Sequence, residues 1–346
     1  MANYKQMWEE LGMDLETHDQ LCAVLPTAFG DVYLSQENRP EGMGFWDMVV
    51  ADIHGIRPAE LIEAQKNGQK VFGTFCVYVP DEVVIAANGI VTGLCGGSQF
   101  WVPDGESVLP KSTCPLIKAS VGARLGKTCP FFRIADMYVG ETTCDGKKKA
   151  WEILAQDVPM HIMDMPQMKR PKDFEKWTEE IQEFAGVVEE FTGNKITAEK
   201  LGEAIHVINE KRKALARVYE ARKNKNIPIS GRDALLVTQI AFFDDPVRCA
   251  QMTNALADEL EKRIEGVIDV GDKGVNAPNH HFREVLIHSL AGRQIGYQHL
   301  LVIRIHQRVA LLIRVTVKHN HSAKIHNYQF PFLFLYFLYI LYHIFL

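Results

Sequence analysis

Between residues 70 and 163 short apolar runs alternate with helical stretches, and this alternation leaves few folds open. Lys70-Val71-Phe72-Gly73-Thr74-Phe75 reads as a short buried strand. It leads through Cys76-Val77-Tyr78-Val79-Pro80 into a helix over Asp81 to Asn88. Ile90-Val91-Thr92-Gly93-Leu94 is a second strand and stops at Cys95. A loop rich in Gly, Pro and Ser follows, then a helix over Cys114 to Gly126. Asp136-Met137-Tyr138-Val139-Gly140 is a third strand, ending at the turn Glu141-Thr142-Thr143-Cys144. Gly146 to Ala155 is the next helix, and Val158 to Met163 a fourth strand. Strands separated by helices imply an α/β fold with a parallel sheet. In such sheets, sites form beyond the carboxyl ends of the strands. On this reading Cys95 and Cys144 both sit there.

The same stretch gathers thiols. Four of the seven cysteines, Cys95, Cys114, Cys129 and Cys144, fall at steps of 19, 15 and 15 residues. Met1 to Leu21 is charged and lacks the apolar core of a secretory signal, so a cytoplasmic, reducing setting is expected. There, clustered cysteines bind metal or do redox chemistry more often than they form disulfides. Cys-Pro occurs twice, at Cys114-Pro115 and Cys129-Pro130, and proline stiffens the chain beyond a ligand. Gly96-Gly97 after Cys95 allows close backbone approach. Cys144 precedes a helix start, where negative charge is favoured, and Lys147, Lys148 and Lys149 follow. The bland readings stand beside these. Cysteine is often a small core residue, and Cys22, Cys76 and Cys249 are read that way, Cys76 least firmly because it also ends a strand. The lysines equally suit a solvated helix face, and Asp145 suits an N-cap. The spacing matches neither Cys-x-x-Cys zinc sites nor the usual ferredoxin run.

Residues 1–65 read as an N-terminal helical segment and 66–166 as the α/β cluster-binding domain. Residues 167–275 read as a helical subdomain of four helices, Phe174 to Phe191, Thr197 to Lys223, Gly231 to Phe242 and Pro246 to Gly266, with Thr197 as an N-cap. From residue 276 the composition turns atypical. From His280 onward only Glu284 is acidic, and nine of the 13 histidines lie there at irregular spacing that does not suit a metal site. The last 17 residues, Phe330 to Leu346, are apolar but interrupted by Pro and His, short for a membrane span. An aberrant tail, from a frameshift or faulty gene model, is the favoured expectation, with a membrane anchor as the other. A net charge of −5 gives no reason to expect nucleic acid.

Several of these motifs together resemble one family. Gly73-Thr74-Phe75-Cys76-Val77-Tyr78-Val79-Pro80-Asp81-Glu82, Gly93-Leu94-Cys95-Gly96-Gly97, Cys114-Pro115-Leu116-Ile117-Lys118, Cys129-Pro130 and Val139 to Lys149 resemble 2-hydroxyacyl-CoA dehydratase component D and benzoyl-CoA reductase, closest to the double-cubane branch. Ile229 to Leu236 and Phe242 to Arg248 fit too, so the resemblance covers about residues 1–275. It implies two flavodoxin-like α/β domains, homodimers or paired subunits, and an iron–sulfur cluster, [4Fe–4S] or [8Fe–9S], held by cysteines of both domains. It further implies an ATP-hydrolysing activator as electron donor, and an acyl-CoA or small molecule as substrate. In the dehydratases, one electron passed to a 2-hydroxyacyl-CoA gives a ketyl radical that expels hydroxide. Carried over by position, Cys95, Cys114, Cys129 and Cys144 are the ligands from the first domain. The resemblance also predicts a second α/β domain after residue 275 with a further Gly-Cys-Pro turn. Here that position reads His280-His281-Phe282-Arg283, and no cysteine follows Cys249. A truncated enzyme is therefore expected, with a non-catalytic cluster- or metal-binding protein or a membrane-tethered fragment as alternatives.

Overall fold

The computed structural model describes residues 4–94 and 98–266. Cys95 and the segment 276–346, with every expectation placed on the tail, lie outside the described residues.

Four short strands form one parallel sheet: β1 (Val71–Thr74), β2 (Ile90–Gly93), β3 (Met137–Glu141) and β4 (Met160–Met163), in the spatial order β2-β1-β3-β4. Thr74 pairs with Gly93 on one side and with Val139 on the other, so the carboxyl ends of β1, β2 and β3 lie side by side. β1 and β3 are buried throughout and apolar up to their last residues, Thr74 and Glu141, as strands covered on both faces must be. Side chains alternate between two cores. Val71, Phe75 and Tyr138 face one, with Ile117, Phe132 and Trp151. Phe72, Val139 and Met163 face the other, with Val83, Val84 and Phe184.

The crossovers supply those covers. α5 (Asp81–Ala86) links β1 to β2 and packs on the Phe72 face. α6 (Val102–Glu106), α7 (Pro115–Leu125) and α8 (Pro130–Ile134) link β2 to β3, and α9 (Asp145–Leu154) links β3 to β4, all on the Tyr138 face. The segment expected as a plain loop after Cys95 thus contains a 3₁₀ turn, Gln99–Trp101, and α6. α6 meets α7 backbone to backbone. A Cβ on Gly122 would stand 1.8 Å from the Trp101 carbonyl oxygen, and one on Gly105 would stand 2.0 Å from that of Lys118. Gly105, within the stretch expected as loop, and Gly122, within the expected helix, are what lets two helices touch.

The helical flanks follow the expected pattern. α1 (Lys5–Glu10), α2 (Leu15–Phe29), α3 (Gly44–Ala51) and α4 (Ile56–Lys66) precede the sheet. α10 (Pro171–Thr192), α11 (Ala198–Ala221), α12 (Gly231–Ile240) and α13 (Pro246–Glu265) follow it. Thr197 caps α11 through its side chain, accepting from Lys200 N–H at 3.2 Å. A third core joins the two sets, with Tyr33, Met43 and Trp46 packed among Val218, Leu236, Cys249 and Leu260. Cys249 is therefore a core residue. None of the described helices is long and apolar enough to cross a membrane.

Candidate cluster site at the carboxyl end of the sheet

The strand order reverses between β1 and β3, because β2 lies on one side of β1 and β3 and β4 on the other. A crevice at such a reversal is where doubly wound sheets place their ligands. Cys76 follows β1 by two residues and Cys144 follows β3 by three.

Glu141, the last residue of β3, is fully buried. Its Oε1 accepts from Thr143 Oγ1 at 3.0 Å and from Lys147 Nζ, while its Oε2 has no partner among the described residues. The Glu141 carbonyl accepts from Trp151 Nε1 at 2.8 Å, which fastens α9 to the strand end. The Lys147 ammonium also lies 5.9 Å from the centroid of the Trp151 ring. Burial opposes the charge on Lys147, but Glu141, Cys76 and Cys144 outweigh it and hold the ammonium above its usual range. One half-buried cation therefore pairs with a carboxylate and lies in the field of two thiols. Cys76 itself is pushed up, first by burial and then by Glu141, although Lys147 and the Tyr78 and Val77 N–H groups pull the other way.

Three of the four expected ligands are described, and all three are helix N-caps: Cys114 on α7, Cys129 on α8 and Cys144 on α9. Asp145, expected as the cap, is instead the first residue of α9, with an exposed side chain 3.6 Å from Lys148. Cys114 and Cys144 are exposed and make no capping hydrogen bond. Their helices start close together, since a Cβ on Gly146 would stand 2.7 Å from Ile117 Cδ1. Cys129 differs. It is buried in the Tyr138 core, and burial pushes its thiol up to about 11 against the N–H groups of Phe132 and Phe131. Cys114, Cys129 and Cys144 are not brought within 4.8 Å of one another; among the described residues only His18, Cys22 and His54 meet that distance as a group of three metal-donor side chains.

The donor chemistry nevertheless suits an iron–sulfur group. Cys114 and Cys144 are exposed thiols at helix starts, open to a soft metal ligand role. The half-buried Lys147 adds a full charge beside Cys76 and Cys144. Cys76, read from sequence as a core residue that also ends a strand, is half-buried beside Glu141 and Lys147. The lysine run divides: Lys147 turns inward to Glu141, whereas Lys148 and Lys149 face outward and pair with Asp145 and Glu152.

A family model, 2-hydroxyglutaryl-CoA dehydratase, D-component, matches residues 76–289. The chain belongs to that family. The D-component match opens at Cys76, leaving the N-terminal helices outside it, and runs past residue 275, where the motif resemblance ends. Among curated proteins, the chain is 38% identical over 186 residues to an Escherichia coli K12 protein named as dehydratase subunit YjiM, covering 53% of this chain and 48% of that one. It is 26% identical over 174 residues to one of the benzoyl-CoA reductase subunits of Thauera aromatica, covering 49% and 44%. It is 25% identical over 208 residues to the (R)-phenyllactyl-CoA dehydratase beta subunit of Clostridium sporogenes, covering 58% and 54%. This D-component relative thus spans about half the length of the curated proteins it matches, and each of those is named as a subunit.

Proposed function

We propose that this chain is the iron–sulfur component of a 2-hydroxyacyl-CoA dehydratase or a related low-potential reductase. The observation that carries the reading is the half-buried Lys147–Glu141 ion pair at the strand-order reversal, where Cys76 and Cys144 follow β1 and β3, in a chain of the dehydratase family. Cys95, Cys114, Cys129 and Cys144 are the proposed ligands, with Cys76 added beside them. A [4Fe–4S] or [8Fe–9S] cluster held there would supply one-electron transfer at low potential, fed by an ATP-hydrolysing activator. The protein's own part is electrostatic and steric. Lys147 offsets anionic charge, Glu141 fixes Lys147, and α7 and α9 direct their N-termini toward the thiols. Trp151 and Phe75, 4.5 Å apart at their ring centroids, pack as an apolar base under the ends of β1 and β3. Cys129 would have to turn out of the core to bind iron. An acyl-CoA or a small molecule is the substrate class, and the cage is completed by a second α/β domain or by a paired protein of the same family. The subunit names of the relatives and the half-length match support that incompleteness.

The test is anaerobic reconstitution with iron and sulfide, followed by iron and acid-labile sulfide analysis and EPR of the reduced protein. Cys144→Ala is expected to lower bound iron more than Cys249→Ala does. A colourless, iron-free protein, or equal iron in the two variants, would overturn the assignment. Iron retained with no reducible EPR signal would favour cluster binding without catalysis.

A further inference from the structure

A second group of donors lies in the N-terminal helices, apart from the cysteine site and independent of its reading. His18 and Cys22 stand four residues apart on α2, so they share one helix face. His54 comes from the turn between α3 and α4. His18 Nε2 lies 2.9 Å from His54 Nδ1, and Cys22 Sγ lies 3.5 Å from His18 Nε2. One ligand atom from each residue lies within 4.8 Å of the other two. Tetrahedral zinc with Zn–N of about 2.0–2.1 Å and Zn–S of about 2.3 Å puts its nitrogens about 3.3 Å apart and nitrogen from sulfur about 3.6 Å apart. The two measured separations lie within half an ångström of these.

The surroundings are those of a built site. His18 is fully buried and His54 nearly so, while Cys22 is half-buried and marks the open side. The Trp8 ring packs 4.4 Å from His18, and Phe131 packs 6.4 Å from His54. Trp8 Nε1 donates to the His54 carbonyl at 2.8 Å, which fixes the backbone that presents the imidazole. His18 Nδ1 lies 3.9 Å from Asp19 Oδ1 and also 3.9 Å from Cys22 Sγ, so the thiol sits closer to Nε2 than to Nδ1. A hydrogen bond between two neutral imidazoles would account for the 2.9 Å separation alone. The Cys22 thiol, brought to the same ring by its i,i+4 position on α2, adds a third donor there.

We propose that His18 Nε2, Cys22 Sγ and His54 Nδ1 bind one Zn2+ ion, with solvent on the open side as the fourth ligand. Binding releases the Cys22 thiol proton. The imidazoles keep their protons on His18 Nδ1 and His54 Nε2, so the site gains one net positive charge. The thiolate excludes Mg2+ and Ca2+, which prefer oxygen. The ion clamps α2 to the α3–α4 turn.

The test uses the full chain, made iron-free under chelation and titrated anaerobically with Co2+ and then Zn2+. One equivalent of Co2+ should give tetrahedral d–d bands with thiolate charge transfer, bleached by one equivalent of Zn2+. Cys22→Ser should remove the charge-transfer band and Cys144→Ala should leave it intact, with far-UV circular dichroism confirming both folds. Zn2+ should also slow alkylation of Cys22 at least tenfold, read by peptide mapping of the unsubstituted protein. Absence of a stoichiometric Co2+ spectrum, persistence of the band in Cys22→Ser, or an alkylation rate unchanged by Zn2+ would each overturn the proposal.

Discussion

Lys147 and Glu141 form an ion pair with the carboxylate fully buried and the lysine side chain partly so. Removing one partner of such a pair leaves an uncompensated charge out of water, at a cost on the order of 3–5 kcal/mol. Lys147→Met should therefore destabilise the iron-free protein by about that amount in urea unfolding, and Glu141→Leu with Lys147→Met should recover most of the loss. A double variant as unstable as the single would mean that the pair matters for something other than its charge balance. Thiol reactivity divides on the same physics. Burial pushes the Cys249 thiol up to about 11, whereas Cys114 and Cys144 are exposed. In iron-free protein near pH 8, iodoacetamide should modify Cys114 and Cys144 at least tenfold faster than Cys249, by mass spectrometry. Sequence could place Cys144 and Cys249 in different surroundings, because a strand-to-helix turn and a helix interior offer a thiol different neighbours. It could not tell Lys147 from Lys148 and Lys149. Three adjacent lysines look alike until the register of the helix start is known, and that register puts Cys144, not Asp145, at the cap.

At the scale of elements, the strands and long helices were legible from apolar period and turn residues, within one to three residues at most ends. Short pieces were not. α6 and α8 have five residues each, too few for a helical period to repeat twice. Contact through Gly105 and Gly122 is a tertiary property with no local signal. Gly122→Ala should push α6 from α7 and cost about 1–3 kcal/mol, as overpacking does. Because α7 begins at Cys114, the same variant should raise the alkylation rate of Cys114 relative to Cys144; an unchanged ratio would show that the helix start is held from elsewhere. Thr197, read from sequence as a cap, makes that bond. Thr197→Ala should cost about 1 kcal/mol in the same unfolding measurement.

Across the whole molecule, the helices before and after the sheet are tied by charge. Arg248 of α13 reaches Glu60 of α4 at 2.5 and 2.9 Å, Arg57 pairs with Glu60 at 2.9 Å, and Arg57 Nε donates to the Phe243 carbonyl at 2.9 Å. Burial would raise the Glu60 carboxyl, but the hydrogen bonds from Arg248 and Arg57 prevail and hold it below its ordinary 4.5. The unfolded chain therefore takes up the proton first as the solution is acidified. Stability from this group is complete above pH 4.5 and falls as pH drops below it. Glu60→Gln should lower the unfolding midpoint at pH 7, and its difference from the unsubstituted protein should shrink toward about pH 3. A constant difference would remove the carboxylate from the account. Sequence could not anticipate this tie, since Glu60 and Arg248 are 188 residues apart.

The position of β1 in the middle of the sheet also has a temporal consequence. Its inner partner β3 arrives 65 residues later in the chain, the separation of Val71 and Asp136, which bond at the strand start. At about 5–20 residues per second on the ribosome, β1 waits roughly 3–13 s for that neighbour. The floor beneath Cys76 and Cys144 is thus assembled late, after both strand ends have emerged. His18 and His54 are only 36 residues apart and both precede β1, so both leave the ribosome before any part of the sheet. Phe131, which packs on His54, follows β2, so the histidine pair gains its full cover only as the third strand is being made.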